Sequence, residues 1–432
     1  MLSASVPPRL DCCDRQALID YFDNAWQLEE ALMQSITAEN TFYLRPDPLR
    51  NCLIFYLGHT TAFYINKLRL AGLLTEPINA DYEKLFAVGV DPASPEELQQ
   101  QVAHIQWPTV RAVHDYRAKV YQVIRELLES SLWPLPIHSQ HPFWALLMGI
   151  EHSRVHLETS SMLLRQLPPE KLQCPAGWAY APSHGAVPAN PMLEVPGGVV
   201  TLGKTEPTFG WDMEYGNCTR SVAPFLASQY LVSNGEFLEF LEADGYHRQE
   251  YWSQKAWNWL QRHQVSHPKF WLPTSTGYRY RATFEEMALP LDWPVEVNHY
   301  EAIAFCRWKG PGYRLLGEAE WQQALRHSTQ DQHNLNLQFA SPSPVNLSAT
   351  NGLADLRGNV WEWLQDTFAP LPGFQPHPLY ADHAAPFFDQ AHYLMLGGSW
   401  ISNGSMAASS YRNWFRPYFY QHAGFRLCQS FL

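Results

Sequence analysis

Apolar residues recur at three- and four-residue steps up to about position 170 and then fall into short, broken runs, so the chain predicts two differently built parts. Leu18, Tyr21, Ala25, Leu28, Leu32 and Ile36 mark one buried face of a first helix. Asp47 and Pro48 supply a cap and a first helical residue for a second, which Gly72 ends after Leu70 and Ala71. A third runs from Arg111 to Ser130, bounded by Pro108 and Pro134, and a fourth opens at Pro142 and runs through Leu163 until Pro168 and Pro169 stop it. Four amphipathic helices of this length predict an up-and-down or crossover bundle.

Past Pro169 the pattern is that of short strands joined by turns, as in Gly197-Gly-Val-Val-Thr-Leu-Gly203, with helices predicted over Ser233–Asp244, His299–Lys309 and Glu318–Arg326. The expected organisation is therefore α plus α+β: a helical bundle over 1–172, a Pro/Ala/Gly-rich linker over 173–191 and an irregular α+β domain over 192–432.

Composition narrows the function classes. With 30 Lys plus Arg against 42 Asp plus Glu, the net charge of −12 and the lack of a compact basic patch disfavour a nucleic-acid partner. A charged fraction of 17% beside 17 Trp, 21 Tyr and 22 Phe describes a packed chain, not a disordered one. The seven cysteines are scattered and form no C-x-x-C pair, which indicates neither a disulfide framework nor a cysteine zinc site and fits a reducing compartment. Acidic residues at 11, 14, 20 and 23 break any signal-peptide layout, and no apolar run reaches the roughly 18 residues of a membrane span. A soluble cytoplasmic protein without a membrane partner is expected.

The sharpest chemical signal is His152-Ser-Arg-Val-His156 in the fourth helix, because a four-residue step sets two imidazoles on one face, close enough for one metal ion. His59 adds a third, as the polar member of the Phe55, His59, Phe63 stripe in the second helix. The alternative is three core histidines satisfied by hydrogen bonds. Three neutral imidazoles with open coordination positions suit zinc hydrolysis and ferrous oxygen chemistry equally. Toward the C-terminus, loops carrying Tyr380, Trp400 and Tyr411-Arg-Asn-Trp-Phe-Arg416 offer side chains that hold small polar ligands, with loop packing as the alternative.

Five ordered motifs then become recognisable: Pro294-Val-Glu-Val-Asn-His-Tyr-Glu-Ala-Ile-Ala-Phe-Cys306-Arg-Trp-Lys-Gly310, Tyr313-Arg-Leu-Leu-Gly-Glu-Ala-Glu-Trp321, Asp355-Leu-Arg-Gly-Asn-Val-Trp-Glu-Trp363, Gly397-Gly-Ser-Trp400 and Gly424-Phe-Arg-Leu427. They resemble the formylglycine-generating-enzyme domain, a C-type-lectin-like α+β fold. Residues 399–427 contain no cysteine, so formylglycine-generating activity is not expected. The N-terminal segments Phe42–Arg50, Leu53–His59, Phe63–Arg69, Phe86–Asp91, Pro142–His152 and His156–Ser160, together with Tyr418–Arg426, resemble the iron-dependent sulfoxide synthases of thiohistidine biosynthesis, which join a DinB-like four-helix bundle to such a domain.

The resemblance is strongest to the ovothiol branch, the 5-histidylcysteine sulfoxide synthases. It implies Fe(II) held by His59, His152 and His156, a catalytic tyrosine at Tyr380, and substrate binding by Asn413, Trp414 and Arg416. It also implies O2-dependent joining of L-cysteine to the imidazole of L-histidine. Phe415 and Phe419 replace charged partners that the ergothioneine branch uses for γ-glutamylcysteine, which argues for cysteine, since an unpaired substrate charge would be expensively desolvated. A selenium donor in place of the thiol, a trimethylhistidine acceptor and a lectin-like module that only binds are the alternatives. The chain ends at Leu432, so N-methylation is expected to need a separate methyltransferase.

Overall fold

The computed structural model describes residues 2–87, 95–131, 133, 135–330, 332–347 and 351–431. Residues 88–91 of the Phe86–Asp91 segment, and Pro134, lie outside the described residues. The chain divides into two units, one of residues 1–177 with the short returns 206–209 and 404–406, and one of the remaining residues from 178 onward.

In the first unit the apolar stripe of the N-terminal region folds into α1 (Arg15–Gln34), capped by the Asp14 carboxylate on the Ala17 amide, with Leu18, Tyr21, Ala25 and Leu32 buried. Helix α2 (Leu53–Leu70) begins five residues later than the Asp47-Pro48 signal implies. Asp47 instead accepts from the Leu49 amide at 2.8 Å, closing a tight turn of its own, and the first amide of α2 bonds to the Leu44 carbonyl at 3.2 Å. Its end is as expected: Gly72 takes φ +75°, and Leu73 and Gly72 donate to the carbonyls of Leu68 and Arg69 at 2.9 and 3.0 Å, which terminates the helix.

Two short helices follow that the periodicity does not reveal, α3 (Ala80–Leu85) and α4 (Pro95–Val102). At six and eight residues they are too short to display a repeating stripe, and α3 depends on local capping, by Asn79 on the Tyr82 amide and by Glu83 on the Ile78 and Asn79 amides. Helices α5 (Val110–Ser130) and α6 (Trp144–Leu164) complete the unit. Almost every residue of α6 is buried, so it forms the centre of the unit and packs against both α1 and α2.

The second unit carries two four-stranded sheets and two smaller ones among the described residues. One sheet runs Met192–Val195, Phe225–Ser228, Cys428–Ser430, Tyr313–Arg314; the other runs Asn413–Phe415, Tyr393–Leu396, Trp361–Thr367, Ala423–Gly424, its last pair parallel. Helices α7 (Asn234–Glu242), α9 (His299–Lys309) and α10 (Glu318–Arg326) occupy the predicted segments, and α8 (Gln254–His263) is additional.

The motifs of this half are its core fastenings. The Arg426 guanidinium, fully buried, donates to Glu362 and to the carbonyls of Ser228, Gln229 and Ala354, so it ties both sheets to the loop before Trp361. Trp361 and Trp363 are buried, with the Trp363 indole donating to Val297 O at 3.0 Å. No described helix is long and apolar enough to cross a membrane.

Candidate metal centre

Two glycines allow close packing around α2: Gly149 lets α6 approach it, and Gly58 lets the Phe86 ring lie against it. A Cβ on Gly149 would fall 2.3 Å from the Tyr64 ring, and one on Gly58 would fall 2.6 Å from the Phe86 ring. This approach sets His59 of α2 against His152 and His156 of α6, with ring centroids 5.0 and 4.6 Å apart, and one potential ligand nitrogen from each of the three lies within 4.8 Å of the others. The cluster is the described group of three or more His, Cys, Asp or Glu with that property. Glu151, next in sequence to His152, instead accepts from Tyr21 and from the amide and hydroxyl of Ser405, at 2.8 and 2.7 Å.

The environment prepares His59 and His156 as neutral ligands. His59 Nδ1 lies 2.6 Å from the Phe86 carbonyl, and because a carbonyl only accepts, Nδ1 carries the proton and Nε2 keeps its lone pair for the cluster. Phe55 stacks on His59 at 4.7 Å and Phe63 on His152 at 3.6 Å, which fixes both ring planes. Burial pushes the His59 pKa down to about 4, opposed by the Phe86 carbonyl. His156 is held well below the usual histidine range by burial, then by the nearby His59 and by Arg50. His156 Nδ1 is buried with no hydrogen-bond partner among the described residues, an arrangement that a bound metal would repair. Three imidazole nitrogens in an aromatic lining fit a divalent transition metal of the iron or zinc type.

Two predictions arise from this geometry. Because the folded-state pKa of His59 lies below its ordinary 6.5, its contribution to stability is present above about pH 6.5 and is lost as the pH falls toward 4. His156 shifts in the same direction. Metal release and a falling Tm should therefore track each other between pH 6.5 and 4, as followed by differential scanning fluorimetry with and without metal. The second concerns Gly58→Ala, whose new methyl displaces Phe86 and with it the carbonyl that orients His59. It should weaken metal affinity by about 10- to 100-fold in competition dialysis, the usual cost of losing an outer-shell partner.

The second unit holds the other candidates. Tyr380 lies on a partly exposed loop, its ring 4.9 Å from His383 and 6.4 Å from Trp211. Burial, followed by the negative charges of Asp382 and Asp212, pushes its pKa up to about 12, so the phenol is protonated at neutral pH. Trp414 stacks face to face on Phe368 at 4.3 Å and turns toward His383 at 5.4 Å, so Tyr380 and Trp414 flank the same imidazole. The buried Asn413 side chain accepts from the Trp414 amide at 3.0 Å, and Arg416 is within electrostatic reach of Asp389.

Three participants are absent from the sequence reading. The Phe86 carbonyl is backbone and has no residue-type signature. His383, three positions after Tyr380, and Asp212, in the charged turn Asp212–Glu214, are visible as residue types but stand in no motif.

Residues 180–431 match the family model of the sulfatase-modifying factor enzyme 1-like domain. The chain is 32% identical to hercynine oxygenase of Mycobacterium tuberculosis, over 48% of this chain and 52% of that one. To hercynine oxygenase of Mycolicibacterium smegmatis it is 30% identical, over 64% and 69%. It is also 24% identical to ergothioneine biosynthesis protein 1 of Neurospora crassa, over 99% of this chain and 59% of that protein. The matches thus span about half to two thirds of the length of these relatives.

Proposed function

Because the chain belongs to the sulfatase-modifying factor enzyme 1-like family, in the company of the hercynine oxygenases, we propose that it is an iron-dependent sulfoxide synthase. The carrying observation is the trio His59, His152 and His156, three imidazole nitrogens within 4.8 Å of one another in a chain whose relatives are named as oxygenases. The substrates proposed are L-histidine, L-cysteine and O2. The reaction balances as one imidazole C–H and one S–H broken, one C–S bond formed, one oxygen atom transferred to sulfur and the other released as water with the two hydrogens.

Ferrous iron on the three imidazoles would supply one-electron chemistry with O2 and coordination positions at which a thiol is held as thiolate. The remaining work falls to the chain. His59 is oriented by the Phe86 carbonyl, and the rings of Phe55 and Phe63 stack on His59 and His152 and fix the ligand planes. Tyr380, protonated at its phenol oxygen, is the proposed proton donor for the oxygen atom that leaves as water. Asn413, Trp414 and Arg416 are proposed to hold the histidine-type substrate. Presenting sulfur and the imidazole carbon to each other in a productive orientation removes most of the entropic barrier of a bimolecular encounter.

A second reading, with trimethylhistidine as acceptor, is favoured by the names of the relatives. The test is anaerobic reconstitution with Fe(II), addition of O2, and mass spectrometry of products from cysteine paired with histidine or with trimethylhistidine, with a parallel arm using selenocysteine. A histidine–cysteine sulfoxide as the dominant product supports the reading. A trimethylhistidine or selenium product assigns the alternative substrate, and no O2 uptake with any pair returns the protein to the class of binding modules.

A further inference from the structure

The turn Trp211-Asp-Met-Glu214 carries two buried carboxylates with opposite fates. Glu214 is fully provided for: it accepts from the Trp211 amide at 2.8 Å and the Ser410 hydroxyl at 2.6 Å, and Lys204 lies 4.0 Å away. Asp212 is 6% exposed, yet neither of its carboxylate oxygens receives a hydrogen bond of ordinary geometry among the described residues. The backbone amides of His377, Met213 and Asp212 itself face the group, and among the described residues no lysine or arginine acts on it. Burial raises its pKa to about 6, so it remains largely ionised at neutral pH. A buried anion without a cation is costly, and a cation from outside the chain would offset that cost.

The surroundings specify that partner. The Trp211 ring stacks on His383 at 4.3 Å, and Tyr380 lies 4.9 Å from His383. Tyr380 and His383 are partly exposed, so this aromatic group reaches solvent, and the Asp212 charge is close enough to act on Tyr380. Asp212 and Asp382 both act on Tyr380 as negative charges, which repels phosphate and carboxylate ligands. A buried carboxylate beside aromatic faces is matched to a compact cation, and an ammonium group satisfies both the charge and the π faces.

We propose that Asp212, with the rings of Trp211, Tyr380 and His383, binds the ammonium group of an amino-acid substrate. This rests on the sulfoxide-synthase reading insofar as it takes the cation to be a substrate's; the unpaired carboxylate and its aromatic rim stand without it. The ammonium can come from the histidine-type acceptor or from the cysteine donor, and the arms of the test separate the two.

The full-length protein, loaded with Fe(II) under strict exclusion of O2 so that nothing turns over, is titrated calorimetrically. The probes are L-histidine against imidazolepropionate and L-cysteine against 3-mercaptopropionate. At least one amino acid should bind about tenfold or more tightly than its deamino counterpart. In Asp212→Asn that preference should collapse toward one, and the pair that collapses identifies the source. Asn at 212 also removes an unpaired buried charge, so the ligand-free Tm should stay level or rise, whereas a structural carboxylate would lower it. No preference in the wild type, an unchanged preference in the variant, or a variant that loses stability or fails to fold would overturn the proposal. An Asp212-dependent preference in a protein that then forms no C–S product keeps the ammonium site and sinks the synthase. Product formation with an Asp212-independent preference does the reverse.

Discussion

Alanine at His156 is expected to give a folded chain that no longer retains iron and shows no O2 uptake with histidine and cysteine. The proposed site would lose one of its three donors, and the loss of affinity should exceed the roughly 100-fold upper cost of removing an outer-shell partner. The same result is expected for His59→Ala and His152→Ala, so the three variants together test the cluster rather than one residue. Stability separates this from a structural role. In the metal-free wild type, burial and the neighbouring His59 oppose protonation of His156, and its Nδ1 has no partner among the described residues. Removing the ring should therefore cost the metal-free Tm little, while the rise in Tm that iron gives the wild type should vanish. A core histidine would behave oppositely, losing Tm regardless of metal, and that outcome in all three variants would retire the metal centre.

Much of this centre was legible because helices advertise themselves. The i, i+4 spacing of His152 and His156 and the apolar stripe around His59 place three rings on inward faces, and the structure brings those rings together. The pattern could not supply the closeness of α2 and α6, which depends on Gly149 meeting the Tyr64 ring, or that of Phe86 to α2, which depends on Gly58. Nor could it supply the tautomer of His59, which is set by a backbone carbonyl 27 positions away. The Asp47-Pro48 signal misplaces the start of α2 because an Asp that can cap a helix can equally close its own turn. In the second unit the five ordered motifs prove to be fastenings such as Arg426 with Glu362, so they identify the domain without identifying its ligand. Asp212 escaped notice because a buried carboxylate that no cation reaches among the described residues is defined by what fails to reach it, a property of three dimensions alone.

Tyr380→Phe should change what the protein makes more than how fast it consumes oxygen. Two outcomes compete for the same thiol and the same O2. In the sulfinate branch both oxygen atoms end on sulfur, so one thiol and one O2 give one sulfinic acid and no water. In the sulfoxide branch one oxygen atom goes to sulfur and the other must leave as water, collecting two hydrogens as the imidazole C–H is exchanged for C–S. Only the second branch needs a proton delivered to oxygen, and a phenol whose pKa stands at about 12 holds that proton ready at neutral pH. Deleting the hydroxyl should penalise that branch by about 100-fold or more, within the ordinary range for a lost general acid, and leave the sulfinate branch as the main exit. An oxygen electrode would miss this, since both branches consume one O2 per thiol; product ratios by mass spectrometry decide it. An unchanged ratio of sulfoxide to sulfinate in Tyr380→Phe would remove Tyr380 from the reaction and return it to the packing around His383 and Trp211.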